Sequence, residues 1–190
     1  MPKLLVLFQS RRPDVVELAD AAVEGARRVR FAEVDLRRLA EADETNVPVS
    51  TDATGEREHR TLGHVDDLAA YDGLILVVSA VAEASAALAR TIGPLGATLT
   101  DKVGSALTSA TGADRSSVLW SALTPMADRG MILVPAPFDD ANEPAETARR
   151  VGTRVAEVIG WVTHARSHHH HEHPRHDDHH HQHDHHHDHH

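Results

Sequence analysis

The stretch KLLVLFQSRRPDVVEL, residues 3–18, decides the fold. Its first part, KLLVLF, is a continuous apolar run, which is typical of a strand buried on both faces of a sheet. A helix begins at Pro13, a residue favoured in the first helical turn, and Val15 and Leu18 follow at helical spacing. A buried strand followed at once by a helix predicts a parallel α/β sheet, and the turn between them is where such folds bind phosphate.

The same alternation continues along the chain. After the first helix at 13–29, the pattern predicts further strands at 30–36, 74–78, 103–110 and 131–138. It predicts helices at 65–73, 82–93, 116–130 and 143–162, the third of them bent or broken near Pro125. Residues 39–63 are polar and are predicted to form a loop. Five parallel strands in the order 2-1-3-4-5, covered by helices on both faces, make a flavodoxin-like fold. Its ligand site lies where the first and third strands end, which makes 9–14 and 79–85 the candidate ligand loops.

The composition excludes several kinds of protein. The chain has 190 residues, 41% of them hydrophobic, which is enough for one domain with its own core. No apolar run approaches the ~20 residues of a membrane span, and the N-terminal segment lacks a signal-peptide cleavage site, so we expect a cytoplasmic protein with no membrane partner. The absence of cysteine excludes disulfides, thiolate catalysis and iron–sulfur clusters. A net charge of −10 argues against nucleic-acid binding, and a hydrolase is disfavoured because there is no Gly-x-Ser-x-Gly elbow.

Several stretches together resemble the WrbA family of flavodoxin-fold NAD(P)H:quinone oxidoreductases. The resemblance covers about residues 2–163, is thin between 40 and 62, and rests on PKLLVLFQS, ELADAAVEGAR, DLAAYDGLIL, DKVGSALTSATG and LTPMADRGMILVPAPF. It implies bound FMN, electron transfer from NAD(P)H to quinones, and a homodimer or homotetramer.

The first ligand loop departs from the family pattern, which runs Ser-x-x-Gly followed by a polar residue. Ser10 is kept, but Pro13 replaces the Gly and removes one N–H donor, and Asp14 places a carboxylate where the phosphate of FMN would lie. Arg11 and Arg12 offer bidentate phosphate contacts in compensation. The alternative is that both arginines are solvated and that Asp14 only complements the helix dipole.

The second ligand loop has lost most of the family pattern, whereas the third keeps part of it. The family's Pro-Thr-x-aromatic-Gly-Asn pattern is replaced by SAVAEAS, residues 79–85, which leaves Ser79 as the candidate contact there. After the fourth strand, four residues partly match the family's Ser/Thr-Thr-Gly start: Thr108, Ser109, Thr111 and Gly112.

Arg129 falls where the family usually carries a His near the flavin. It either steadies the negative charge of a reduced flavin or is simply a cation near a helix C-terminus. Together the loops predict weak or absent FMN binding. The alternative is an active FMN-dependent NAD(P)H:quinone oxidoreductase with a divergent site, in which Arg11 and Arg12 replace the missing N–H groups.

The last segment differs from the rest of the chain. We divide the protein into a flavodoxin-like domain at 1–166 and a low-complexity tail at 167–190, which is too polar to fold alone. Neutral imidazoles with nearby carboxylates favour Ni, Zn, Co or Cu ions, and a flexible segment suits their storage, buffering or delivery. The interrupting acidic residues favour a natural tail, with a purification tag as the alternative. The candidate ligands are His168, His169, His170, His171, His173, His176, His179, His180, His181, His183, His185, His186, His187, His189 and His190.

Overall fold

The computed structural model of the protein describes residues 1–10, 12–39, 65–91, 99–137 and 143–169. Five strands form one parallel sheet in the order β2-β1-β3-β4-β5, so the predicted α/β architecture is confirmed. The strands are β1 (Lys3–Phe8), β2 (Glu33–Arg38), β3 (Gly73–Val78), β4 (Val103–Thr108) and β5 (Ile132–Leu133). The predicted polar loop at 39–63 lies outside the described residues apart from Leu39.

Helices cover both faces of the sheet. They are α1 (Pro13–Arg27), a 3-10 helix (Val65–Ala70), α2 (Val81–Thr91), α3 (Ala113–Asp128) and α4 (Pro144–His169). One core lies under α2 and α3, and the other under α1 and α4. The central strand β3 supplies Leu74, Leu76 and Val78 to the first core and Ile75 and Val77 to the second, which is why its sequence is continuously apolar. None of the helices that the structure describes is long and apolar enough to cross a membrane.

Three elements differ from the sequence prediction. The strand predicted at 131–138 has only two residues, and its ladder to β4 ends after the Val134 N–H donates to the Gly104 carbonyl at 2.9 Å. Pro135 and Pro137 follow, and a proline fixes φ at about −65°, away from the value of a parallel strand. Helix α3 passes through Pro125 without ending. Helix α4 continues to His169, past the predicted helix end at 162.

Helices α1 and α4 meet backbone to backbone. A side-chain carbon at Gly25 would overlap the carbonyl oxygen of Arg149, and one at Gly152 would overlap that of Ala22. The Thr153 hydroxyl donates to the Gly25 carbonyl at 2.8 Å across the same contact. Because only glycine allows this approach, these positions set the distance between the two helices.

We expect Gly152→Ala to lower the free energy of unfolding by about 2 kcal/mol, because the added methyl forces α1 and α4 apart. Gly160→Ala is the matched control: it lies on the same helix with no atom within 4 Å of an added carbon. This change should raise stability by about 0.5–1 kcal/mol through helix propensity. Chemical denaturation measures both, and equal effects at the two positions would show that the contact is not tight.

Candidate functional site

The carboxyl edge of the sheet brings most of the predicted ligand residues together. Phe8 pairs with Val77, and Val78 pairs with Thr108, so β1, β3 and β4 end side by side. Ser79 and Ser109 directly follow β3 and β4, and Ser10 lies two residues after the end of β1. Arg11 lies outside the described residues.

Arg129 lies at the opposite edge. It follows the last residue of α3 and precedes β5, and its N–H bonds to the Met126 carbonyl at 3.2 Å. The next residue, Gly130, accepts a bond from the Asp101 N–H at 3.0 Å, just before β4 begins. The length of the sheet therefore separates Arg129 from Thr108 and the ligand loops.

The turn between β1 and α1 engages most of its own backbone donors. The Arg12 N–H donates to the Ser10 hydroxyl oxygen at 3.3 Å, and the N–H groups of Val15 and Val16 both donate to the Arg12 carbonyl at 3.1 Å. Pro13 has no N–H to offer a ligand. The N–H groups of Arg12, Val15 and Val16 are thus engaged within the turn.

The side chains of Arg12 and Asp14 form a two-point ion pair at the start of α1. Arg12 Nε lies 3.1 Å from Asp14 Oδ1, and Arg12 Nη2 lies 3.0 Å from Oδ2. This hydrogen bonding, assisted by the Ser109 hydroxyl, holds the pKa of Asp14 below its usual range. Hydrogen bonding to Asp14, with a smaller contribution from the charge of Glu83, raises the pKa of Arg12. Arg12, one of the two arginines of this candidate ligand loop, is therefore already paired, with a second carboxylate nearby.

Glu83 closes the turn between β3 and α2 in a similar way. Its Oε2 accepts the Ser79 N–H at 2.8 Å and the Ser79 hydroxyl at 2.6 Å. Glu83 lies in the first turn of α2, where a carboxylate complements the positive end of the helix. Both donors of Ser79, the predicted contact of this loop, are engaged by this side chain.

The turn between β4 and α3 carries the other predicted residues. Thr108 is buried, and its hydroxyl oxygen accepts the Ala110 N–H at 3.1 Å. Gly112 precedes α3 with φ of 62°, a conformation that favours glycine. A side chain at this position would be strained, so the turn favours glycine here.

Arg115 is a site residue that sequence reasoning missed. Only 6% of it is exposed, and its two Nη groups lie 3.4 Å from the carbonyl oxygens of Thr108 and Pro137. Its buried Nε has no hydrogen-bond partner. In the sequence Arg115 belongs to the polar run ADRSS, where nothing distinguishes a buried arginine from a solvated one.

A cavity of about 430 Å³ lies beside this arginine, between the first turns of α1 and α4 and the end of β4. Thr108, Ser109, Thr111 and Arg115 line its β4 side. Its remaining walls carry apolar, acidic and basic side chains. They come from α1 and α4, from the residue before α4 and from the turn after β4: Asp14, Glu17, Leu18, Pro144, Ala145, Glu146, Arg149, Glu143 and Ala110.

The predicted metal ligands are not part of this edge. Residues 170–190 lie outside the described residues, as do the side chains of His168 and His169. In the described part of the chain, no group of three or more His, Cys, Asp or Glu residues is placed to hold a metal ion.

Comparison with known proteins supports the fold. An NAD(P)H dehydrogenase (quinone) from Acidithiobacillus ferrooxidans is 40% identical over 78 residues, which cover 40% of this chain and 37% of that relative. A WrbA-like flavodoxin from Agrobacterium tumefaciens superposes with a TM-score of 0.55 at 20% identity, covering 85% of this chain and 99% of that structure. The chain has the flavodoxin-like fold. An oxidoreductase from Corynebacterium diphtheriae gives the same TM-score at 19% identity, covering 85% and 98%.

These matches confirm the resemblance to WrbA-like proteins that the sequence predicted. The stretch matched in the curated relative is well under half of its length. No protein-family model matches the chain.

We expect Glu83→Ala to lower the free energy of unfolding by about 1 kcal/mol, because both Ser79 donors and the positive end of α2 lose their acceptor. Glu83→Gln should lose less, since an amide oxygen still accepts. Ser85→Ala, an exposed change on the same helix, should be close to neutral. Chemical denaturation of the three variants tests this, and a Glu83→Ala effect no larger than that of Ser85→Ala would contradict the interpretation.

Proposed function

We propose that this flavodoxin-like protein binds FMN weakly or not at all at its carboxyl edge, and that its His-rich tail binds transition-metal ions. The observation that supports the first part is the turn between β1 and α1, which engages most of its own backbone donors. A phosphate is normally bound there by free N–H groups and the helix dipole. Here the N–H groups of Arg12, Val15 and Val16 already have partners within the turn, and Pro13 has no N–H.

The negative charges at this edge also oppose phosphate binding. The carboxylate of Asp14 lies in the first turn of α1 and that of Glu83 in the first turn of α2, the two helix ends that border the switch point. Both complement the helix dipoles as a phosphate would. A phosphate entering this edge would have to displace or approach these carboxylates, and displacement would leave buried or partly buried donors unpaired at about 1–3 kcal/mol each.

The second candidate is an FMN-dependent NAD(P)H:quinone oxidoreductase with a divergent site. The partial match to an NAD(P)H dehydrogenase (quinone) favours it. Arg12 is exposed, so its guanidinium could exchange Asp14 for a phosphate without a large desolvation change. FMN, if bound, would supply the redox chemistry, and Arg12 with the hydroxyls of Ser10 and Ser109 would hold its phosphate.

The tail proposal rests on ligand chemistry. Residues 168–190 contain fifteen histidines with interspersed carboxylates. With a pKa near ~6.5, most imidazoles are neutral at pH 7 and can bind Ni²⁺, Zn²⁺, Co²⁺ or Cu²⁺. Several exchangeable ions suit storage, buffering or delivery, whereas a catalytic metal needs a fixed ligand set.

FMN titration of the purified protein, followed by flavin fluorescence, tests the first part. We expect little binding by the natural chain. Asp14→Asn should tighten it several-fold, because the change removes a negative charge worth about 0.3–1 kcal/mol at a helix N-terminus and releases Arg12. Asp20→Asn, which makes the same charge change further along α1, is the control and should have no effect.

The alternative function predicts a different result in the same experiment. A protein that retains stoichiometric FMN through purification, and that reduces quinones with NAD(P)H, would overturn weak binding and establish the oxidoreductase.

Titration calorimetry with Ni²⁺ and Zn²⁺ tests the tail. The full chain should bind several ions at pH 7 and lose them near pH 5, where the imidazoles are protonated. A chain ending at Ser167 should bind none with comparable affinity and should unfold at an unchanged temperature. Equal binding by the two chains would reject the proposal.

Removal of the tail in the native host distinguishes a natural tail from a tag. A natural tail should be needed for metal tolerance, whereas a tag should not.

A further inference from the structure

The guanidinium of Arg115 is buried without a counter-ion among the residues that the structure describes. It lies in the first turn of α3 and is 6% exposed, and no carboxylate of the described residues pairs with it. Its two hydrogen bonds, to the Thr108 and Pro137 carbonyls, are both long at 3.4 Å. An arginine has five N–H donors, and the one on the buried Nε has no partner.

This arrangement is unusual within the molecule. The arginines that form ion pairs are all more exposed and each has a carboxylate within 4.0 Å: Arg12, Arg28, Arg37, Arg149, Arg154 and Arg166. Removing a charge from water without a partner is strongly unfavourable, and two neutral carbonyls compensate for only part of it. An anion beside Arg115 would supply the missing partner.

The adjoining cavity has room for such an anion. It measures about 430 Å³, and the hydroxyl-bearing residues Thr108, Ser109 and Thr111 line it together with Arg115. Leu18, Ala110, Pro144 and Ala145 contribute apolar surface to its walls. A ligand with a small polar anionic end and an apolar body matches this lining.

The acidic residues of the cavity limit the charge of the ligand. Asp14, Glu17, Glu143 and Glu146 also line it. Asp14 and Glu146 are paired with Arg12 and Arg149, whereas Glu17 and Glu143 are exposed. A dianionic phosphate would meet repulsion from these carboxylates, while a single carboxylate balances the one charge of Arg115 and matches the planar geometry of its guanidinium.

We propose that this cavity binds a small organic monocarboxylate, with its carboxylate on Arg115 and its apolar body between Leu18 and Ala145. The site lies between α1, β4 and α4. It shares Asp14 and Ser109 with the candidate FMN site, but Arg115 is not among the predicted FMN contacts.

Titration calorimetry on the full chain tests this with benzoate as the probe. Benzoate should bind saturably with one site per chain. Benzamide, which has the same shape without the charge, should bind about tenfold more weakly or worse. Inorganic phosphate should bind no more tightly than benzamide. Absence of saturable benzoate binding, or phosphate binding tighter than benzoate, would overturn the proposal.

Variants separate a ligand-binding arginine from a structural one. Arg115→Met should reduce benzoate affinity about tenfold or more without lowering the unfolding temperature, because it removes an uncompensated buried charge. Arg150→Met removes the same charge from an exposed position of α4 outside the cavity, and its benzoate affinity should equal that of the natural chain. Retained affinity in Arg115→Met would contradict the proposal.

If Arg115→Met fails to fold, Ala145→Phe decides the question. This change keeps Arg115 and fills the cavity with an aromatic ring. Benzoate binding should then be lost, and unchanged binding would place the ligand elsewhere and overturn the proposal.

Discussion

The close contact of α1 with α4 is the constraint on which the carboxyl edge depends. Gly25 and Gly152 let the two backbones meet, and a Cβ at either position would overlap a carbonyl oxygen of the other helix. Both helices begin at the carboxyl edge and cover the same core. Their separation therefore determines how far the first turn of α1 lies from the first turn of α4, and so the width of the cavity beside Arg115.

The same edge carries internal carboxylates at the helix ends where anions bind. Helix N-termini present unpaired N–H groups and partial positive charge. In this protein the carboxylates of Asp14 and Glu83 lie at two of these helix ends, and Arg12 forms an ion pair with Asp14. Internal carboxylates remove the same electrostatic penalty as a ligand, and they remain bound at no cost in translational entropy.

Most of the fold was predictable from the sequence because its signals are local. Continuous apolar runs identify strands buried on both faces, as in β1 and β3, and Pro13 correctly indicates where α1 begins. The fifth strand was predicted too long because its apolar run also contains prolines. The apolar residues at 131–138 predict a long strand, but its ladder to β4 ends with the Val134 N–H. The two prolines that follow fix φ at about −65°, away from the value of a parallel strand.

The candidate site was less predictable, because its properties arise from contacts between distant residues. By itself the sequence determined the alternation of strands and helices, the substitution of Pro13 and Asp14 in the phosphate loop, and the composition of the tail. Only the tertiary structure decided that Arg12 pairs with Asp14, that Arg129 lies at the far edge of the sheet, and that Arg115 is buried beside a cavity. Hydrophobic periodicity is a local property of the sequence, whereas burial and ion pairing depend on which elements pack together in space.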